Sequence, residues 1–313
     1  MSAITHTSQS VTSSSALKQW ITRHPVLAYL ILAYVVSWGI FLVPLFSKEG
    51  IGLLPYDVPF VQVFALLASV FGLGGSAFVV TAFVDGRAGV RALASRLVRW
   101  RVGVQWYLIA VFGLLVVGLV ALGVFSGLAP IAALPQQAPA LIPYLVQLLV
   151  GAVLIHLWED TGWLGLMFTR LQQRYGALLA SLLVAPCLGG IHLPLLFITD
   201  ALTTGRVPSS QYPIYILQLL VMSSVPFMVI AAWLYNKARG SLLILALFHS
   251  SLDAVNGTAL LSQLTYYEFI GALVVMAVLL VLFTRRRLAY KPIPDLQPVP
   301  PAKSTGFSTQ AVQ

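Results

Sequence analysis

The chain has 313 residues, of which 59% are hydrophobic and only 9% charged, with a mean hydropathy of +0.91 and a formal net charge of +9. Soluble domains carry roughly a quarter charged residues, so this composition excludes one and specifies a polytopic membrane protein. The excess of positive charge is spaced as a topology signal along the chain, which removes the case for a nucleic-acid surface.

Eight stretches are long enough to cross a hydrocarbon core of ~30 Å as helices: residues 25–46, 59–84, 105–128, 143–170, 176–198, 213–235, 240–261 and 267–283. Before them, residues 1–17 are Ser/Thr-rich and read as a disordered tail; after them, residues 288–313 are Pro/Gln-rich and read the same way. The transmembrane domain then occupies 18–287. The first apolar stretch exceeds a signal-peptide core and lacks a cleavage site, so it reads as a membrane helix. The N-terminal flank, the second, fourth and sixth connections and the C-terminal flank hold 16 of the 18 basic residues, leaving Lys48 and Arg206 for the other side. That bias predicts an all-α single bundle with both termini cytoplasmic. The membrane expected for it is a bacterial plasma (inner) membrane, although no residue specifies the organism. The connection 85–103 alternates Arg with Leu, Val and Trp and predicts an interfacial helix with its arginines at lipid phosphates. The single cysteine, Cys187, excludes an intramolecular disulfide.

The fourth stretch is 28 residues, ~42 Å as one helix, which predicts a tilt or a break near Gly162. It also carries His156, Glu159 and Asp160. The fifth stretch carries His192 after Gly189 and Gly190, glycines that let another helix approach closely. The seventh carries His249 and Asp253, spaced i, i+4 so that both face one way. Counted along their helices, Glu159 lies ~16 Å from Arg170 and His249 ~15 Å from Arg239, while His192 lies ~24 Å from Gly176, so the three fall at overlapping depths. Three acids and three histidines placed in apolar helices mark function, because such groups are expensive in lipid. Glu159 and Asp160 point about 100° apart and cannot serve one atom equally, so one of them is primary. His156 reads as a hydrogen-bonded supporting residue.

These residues carry a resemblance. The run Glu159-Asp160-Thr161-Gly162-Trp163-Leu164-Gly165 followed by Arg170-Leu171-Gln172 resembles the first motif (EExGWRG...RLQ) of the CPBP family of CAAX-processing and bacteriocin-processing intramembrane proteases, also called Abi. Leu188-Gly-Gly-Ile-His192-Leu-Pro is similar to the second motif (FxxxH, followed by LP), and Tyr235-Asn236 through Gly240-Ser241-Leu242 to His249 and Asp253 to the third (YN...GSL...HxxxN). The likeness covers 145–257. It implies an eight-helix glutamate- or metal-dependent endopeptidase with a conical cavity open to the cytosol. In that reading Glu159 with His192 activates water and His249 with residue 253 holds the oxyanion; the competing description has Glu159, His192 and His249 bind a metal, which would be Zn2+. The implied partners are a hydrophobic or membrane-tethered peptide or protein and the surrounding lipids.

Four positions depart from the motifs: Asp160 for Glu, Leu164 for Arg, Leu188 for Phe and Asp253 for Asn. Leu164 removes the cation that would orient the acids. An ionised Asp253 accepts hydrogen bonds but donates none to an oxyanion, although it suits a zinc site. Amide hydrolysis itself needs a base for water, a stabiliser of the oxyanion and a proton for the leaving amine, roles that one Glu and two His can fill. Two other readings use the same residues: a proton-coupled transporter, and a catalytically lapsed relative acting as a chaperone or immunity protein.

Overall fold

The structure is a computed structural model that describes residues 9–58, 60–201 and 205–291. Among these the chain forms helices and turns and no strand. In chain order the helices are α1 (Gln9–Arg23), α2 (Pro25–Phe46), α3 (Val61–Leu97), α4 (Val104–Ser126), α5 (Leu134–Tyr175), α6 (Ala177–Phe197), α7 (Ser209–Lys237), α8 (Leu242–Gly257) and α9 (Tyr266–Phe283). The first eight and last 22 residues of the expected tails lie outside the described residues. Helix α1 begins inside the first tail, and Leu288, in the second, is fully buried.

Among the described residues seven helices, α2 to α7 and α9, are long and apolar enough to cross a membrane, so the protein is a polytopic helical membrane bundle. The expected eighth crossing is the short helix α8, 16 residues or ~24 Å long. Its start is fixed by Ser241, whose hydroxyl accepts the Ile244 N–H, and the backbone turns extended at Thr258.

Two helices differ from expectation in a way that shapes the interior. In α5 the chain does not break near Gly162. It runs on through two π-helical turns, Ala152–His156 and Thr161–Phe168, on either side of Leu157–Asp160. A π turn inserts residues into the helical ladder and re-aims the side chains beside it, which is why such turns gather at functional sites. Gly162 serves close packing instead: a Cβ there would lie 2.0 Å from the Tyr29 hydroxyl. In α3 a further π turn spans Ala68–Gly75, and the helix bends at Gly86 (φ 64°, ψ −159°), a conformation open to glycine. The expected interfacial connection is therefore the continuation of α3 beyond that bend.

The core centres on α5, whose Trp163 and Phe168 are fully buried; Tyr29 of α2 meets Trp163 edge to face. Helix α8 packs against α4 and α5, α6 against α7, and α7 against α9. Large apolar residues such as Val35, Phe71, Val116 and Leu282 remain on the outer faces, as a lipid-solvated bundle requires.

The turn after α2 is held by Glu49, whose carboxylate accepts from the Val58 N–H (3.0 Å) and the Ser47 hydroxyl (2.9 Å). These bonds, the Val58 amide first, hold Glu49 below its ordinary value of 4.5. A depressed carboxylate stabilises the fold above its unfolded pKa and loses that contribution as pH falls through the folded one. The melting difference between wild type and Glu49→Gln is therefore present at neutral pH and closes as the pH drops below 4.5; a difference that persisted in acid would contradict the assignment.

Candidate active site

Two helices, α5 and α8, bring five of the six flagged side chains together. From α5, Glu159 lies between Ser69 of α3, whose hydroxyl donates to Oε1 (2.9 Å), and His156, whose Nδ1 stands 3.6 Å from Oε2. From α8, His249 stacks its ring on that of His156, with centroids 4.1 Å apart and an interplanar angle of 32°. Phe227 of α7 closes the other side of His249, 4.5 Å away.

Each imidazole is held by one aspartate. His249 Nδ1 donates to Asp160 (3.1 Å), and His156 Nε2 donates to Asp253 (3.1 Å). An N–H committed to a carboxylate fixes the tautomer and leaves the opposite ring nitrogen, Nε2 of His249 and Nδ1 of His156, with its lone pair. The two neighbouring acids of α5 thus divide the work: Glu159 takes Ser69 and faces His156, while Asp160 orients His249. Their 100° separation is what permits this.

The group is buried. Asp160 is inaccessible, and Glu159, His156 and His249 are each under a tenth exposed. Asp253 differs, its side chain being 58% exposed, so the cluster reaches the surface along that edge. His156, Glu159 and His249 offer ligand atoms within 4.8 Å of one another, and the His156 Nδ1 atom has no hydrogen-bond partner among the described residues. A buried lone pair without a partner, beside a carboxylate and a second imidazole, fits a divalent metal of the zinc type. This set takes His156 where the sequence pointed to His192.

His192 sits half-buried at the end of α6, its Nδ1–H on the Leu188 carbonyl (3.1 Å). It stands outside the compact group, although the Glu159 carboxylate is within electrostatic range of all three imidazoles, His156, His192 and His249. Cys187, on the same helix, spends its thiol on the Leu183 carbonyl.

Residues 141–255, the stretch that supplies α5 to α8, match the family model described as type II CAAX prenyl endopeptidase Rce1-like. A protein from Methanococcus maripaludis named CAAX prenyl protease 2 is 27% identical over 150 residues, which is 46% of this chain and 51% of that protein; the chain spans about half the length of the curated relative it matches. This region is similar to the CAAX protease (CPBP) family.

Within the matched region, the position at which the first motif carries arginine is the fully buried Leu164. A guanidinium nonetheless reaches the neighbouring residue. Arg96 of α3 turns inward, only 6% exposed, and donates through Nη1 to the Gly165 carbonyl (3.0 Å) and the Tyr235 hydroxyl (3.3 Å). Tyr235, the tyrosine of the third motif, also meets the Thr169 hydroxyl (3.1 Å). Arg96 was expected at lipid phosphates with the rest of its cluster. It leaves that surface because a helix continuing past Gly86 turns one face of the cluster towards α5, and Leu93 on that face is buried with it. Sequence reasoning also missed Ser69; its one hint was a hydroxyl in an otherwise apolar run three residues before Gly72. Replacing Arg96 with Ala removes two charge-assisted donors and opens a void, so thermal unfolding should show a loss of about 3 kcal/mol. The exposed Arg91→Ala, by contrast, stays within about 0.5 kcal/mol of wild type.

Proposed function

We propose that this chain is an intramembrane endopeptidase that hydrolyses a peptide bond in a hydrophobic or membrane-tethered peptide. The observation that carries the reading is the buried meeting of Glu159 with two imidazoles, each fixed by its own aspartate. The likeness of residues 141–255 to the type II CAAX prenyl endopeptidase family model supports it.

In this mechanism Glu159 is the general base. It takes a proton from water as the oxygen attacks the peptide carbonyl carbon, then returns it to the amine as the C–N bond breaks, so one water is consumed and two chain ends appear. Ser69 holds the carboxylate in place from the far oxygen. His249, its Nδ1 proton committed to Asp160, turns Nε2 to the reaction and with His156 stabilises charge on the tetrahedral oxyanion when protonated. Asp253 accepts from His156 and so acts as an orienting acid, a role that an acceptor can fill where an oxyanion donor could not. His192, held by the Leu188 carbonyl at the end of α6, takes no proton in this scheme. His156, Glu159 and His249 would hold a zinc ion, which would supply Lewis-acid stabilisation of the oxyanion.

The test is cleavage of membrane-tethered peptides by the purified chain in liposomes, read by mass spectrometry. Wild type yields two fragments whose masses sum to substrate plus water, and His249→Ala yields none while melting as wild type does. Proton-driven uptake without cleavage would replace this reading with transport. Metal content and chelation resolve the cofactor: with zinc in the site, the purified protein carries about one equivalent, chelation abolishes cleavage, and re-addition restores it. Full activity in metal-free protein assigns the chemistry to Glu159 and the histidines alone.

A further inference from the structure

The chain beyond α9 does something that a disordered tail would not. Four of the five residues 285–289, namely Arg285, Arg286, Leu288 and Ala289, adopt left-handed backbone, with φ between 42° and 66°. Each such residue costs on the order of 1 kcal/mol and persists only where surrounding contacts impose it. Those contacts are present. Leu288 is fully buried, its N–H donates to the Thr284 hydroxyl (3.1 Å), and its carbonyl accepts from the Asn236 side chain of α7 (3.1 Å).

The fold-back sets Arg287 and Lys291 across from Lys237 and Arg239 at the end of α7, around a cleft of about 890 Å³. Among the described residues no acid lines it, all four cations are exposed, and its floor is apolar, with Trp233, Leu280 and Phe283. Trp233 and Leu280 are shared with a second cavity of about 480 Å³ between α4, α7 and α9, lined by apolar residues from Leu108 to Val117 on α4. That groove descends ~14 Å along α4 from the cationic mouth, the length of about ten methylenes. A row of basic residues beside a membrane is the ordinary product of topology. A cationic cleft built by a strained turn and continuous with an apolar groove is a ligand shape.

We propose that this cleft and groove form a binding site for one phospholipid with an anionic headgroup, its phosphate among Lys237, Arg239, Arg287 and Lys291 and an acyl chain over Trp233 into the groove. Charge complementarity selects the headgroup, and the shared Trp233–Leu280 floor requires that headgroup and chain belong to one molecule. The lining includes none of the clustered acids and histidines, although Phe248 of the groove directly precedes His249, and the proposal stands whether or not that cluster cleaves peptides.

The experiment uses the full chain in detergent, titrated with phosphatidylglycerol whose acyl chains are brominated, and with phosphatidylcholine bearing the same chains. Bromine quenches nearby indoles, and the part lost in Trp233→Phe reports this groove. The anionic lipid should saturate that signal at a concentration at least about tenfold lower than the zwitterionic one, and Arg287→Gln with Lys291→Gln should weaken it by roughly fivefold per charge removed. Millimolar inorganic phosphate should leave it unchanged. Equal quenching by both lipids in wild type overturns the proposal without recourse to any variant. So does a preference that survives the double substitution, and displacement by inorganic phosphate would show a free-anion site in its place.

Discussion

Glu159→Gln should abolish peptide hydrolysis, by a factor of about a thousand or more, in protein that folds and melts as wild type. The substitution is nearly isosteric. Gln keeps an oxygen that can accept from the Ser69 hydroxyl at 2.9 Å, so the link to α3 survives. What it loses is the ability to take a proton, and general base catalysis contributes ~10²–10⁴-fold. The stability cost is small because the carboxylate is under a tenth exposed: removing a charge from a buried site relieves desolvation and offsets the lost attraction to the imidazoles. Asp160→Asn offers the contrast. It leaves the base and disturbs His249, whose Nδ1–H would face an amide in place of a carboxylate, for a loss of roughly 10- to 100-fold. Equal losses in the two variants would mean that the acids act as a unit, and unimpaired cleavage by Glu159→Gln would remove the base from Glu159 altogether.

How far the sequence discloses this arrangement depends on the range of the force involved. The crossing helices were legible because hydropathy is summed over some twenty residues, and α2 runs over the expected 25–46. The pairing of His249 with Asp253 on one helical face was legible too, since i, i+4 spacing is local. Their actual partners were not. His249 bonds Asp160 and Asp253 bonds His156, 89 and 97 residues away, because the π turns flanking Leu157–Asp160 rotate α5 relative to an ideal helix. A π turn is selected by packing between helices and leaves no period in the sequence. Arg96 was misplaced for a similar reason: its spacing among exposed arginines is that of an interfacial helix, and only the three-dimensional neighbours Gly165 and Tyr235 draw it inward.

Gly189→Ala should be the most damaging small substitution in the bundle, with a destabilisation of about 3 kcal/mol or outright loss of folded protein. A Cβ built on Gly189 would lie 1.8 Å from the Leu219 carbonyl oxygen and 2.5 Å from its carbon, both backbone atoms of α7. Overpacking ordinarily costs ~1–3 kcal/mol because side chains can give way; here only the helices can, and contacts closer than 3.0 Å require them to separate. In lipid that separation gives up the van der Waals packing that holds small-residue interfaces together, with no hydrophobic gain to replace it. The consequence reaches the site, since His192 follows Gly189 by three residues and moves with α6 relative to Glu159. Gly190→Ala is the milder neighbour: its Cβ would meet the Tyr34 hydroxyl at 2.6 Å, the mobile end of a side chain that can trade its bond to the Cys187 carbonyl for a small rotation. Gly271→Ala in α9 meets nothing within 4 Å and should stabilise the helix by up to about 1 kcal/mol. Thermal unfolding of the three variants in one detergent tests the order, and a Gly189→Ala protein as stable as Gly271→Ala would refute the close packing of α6 on α7.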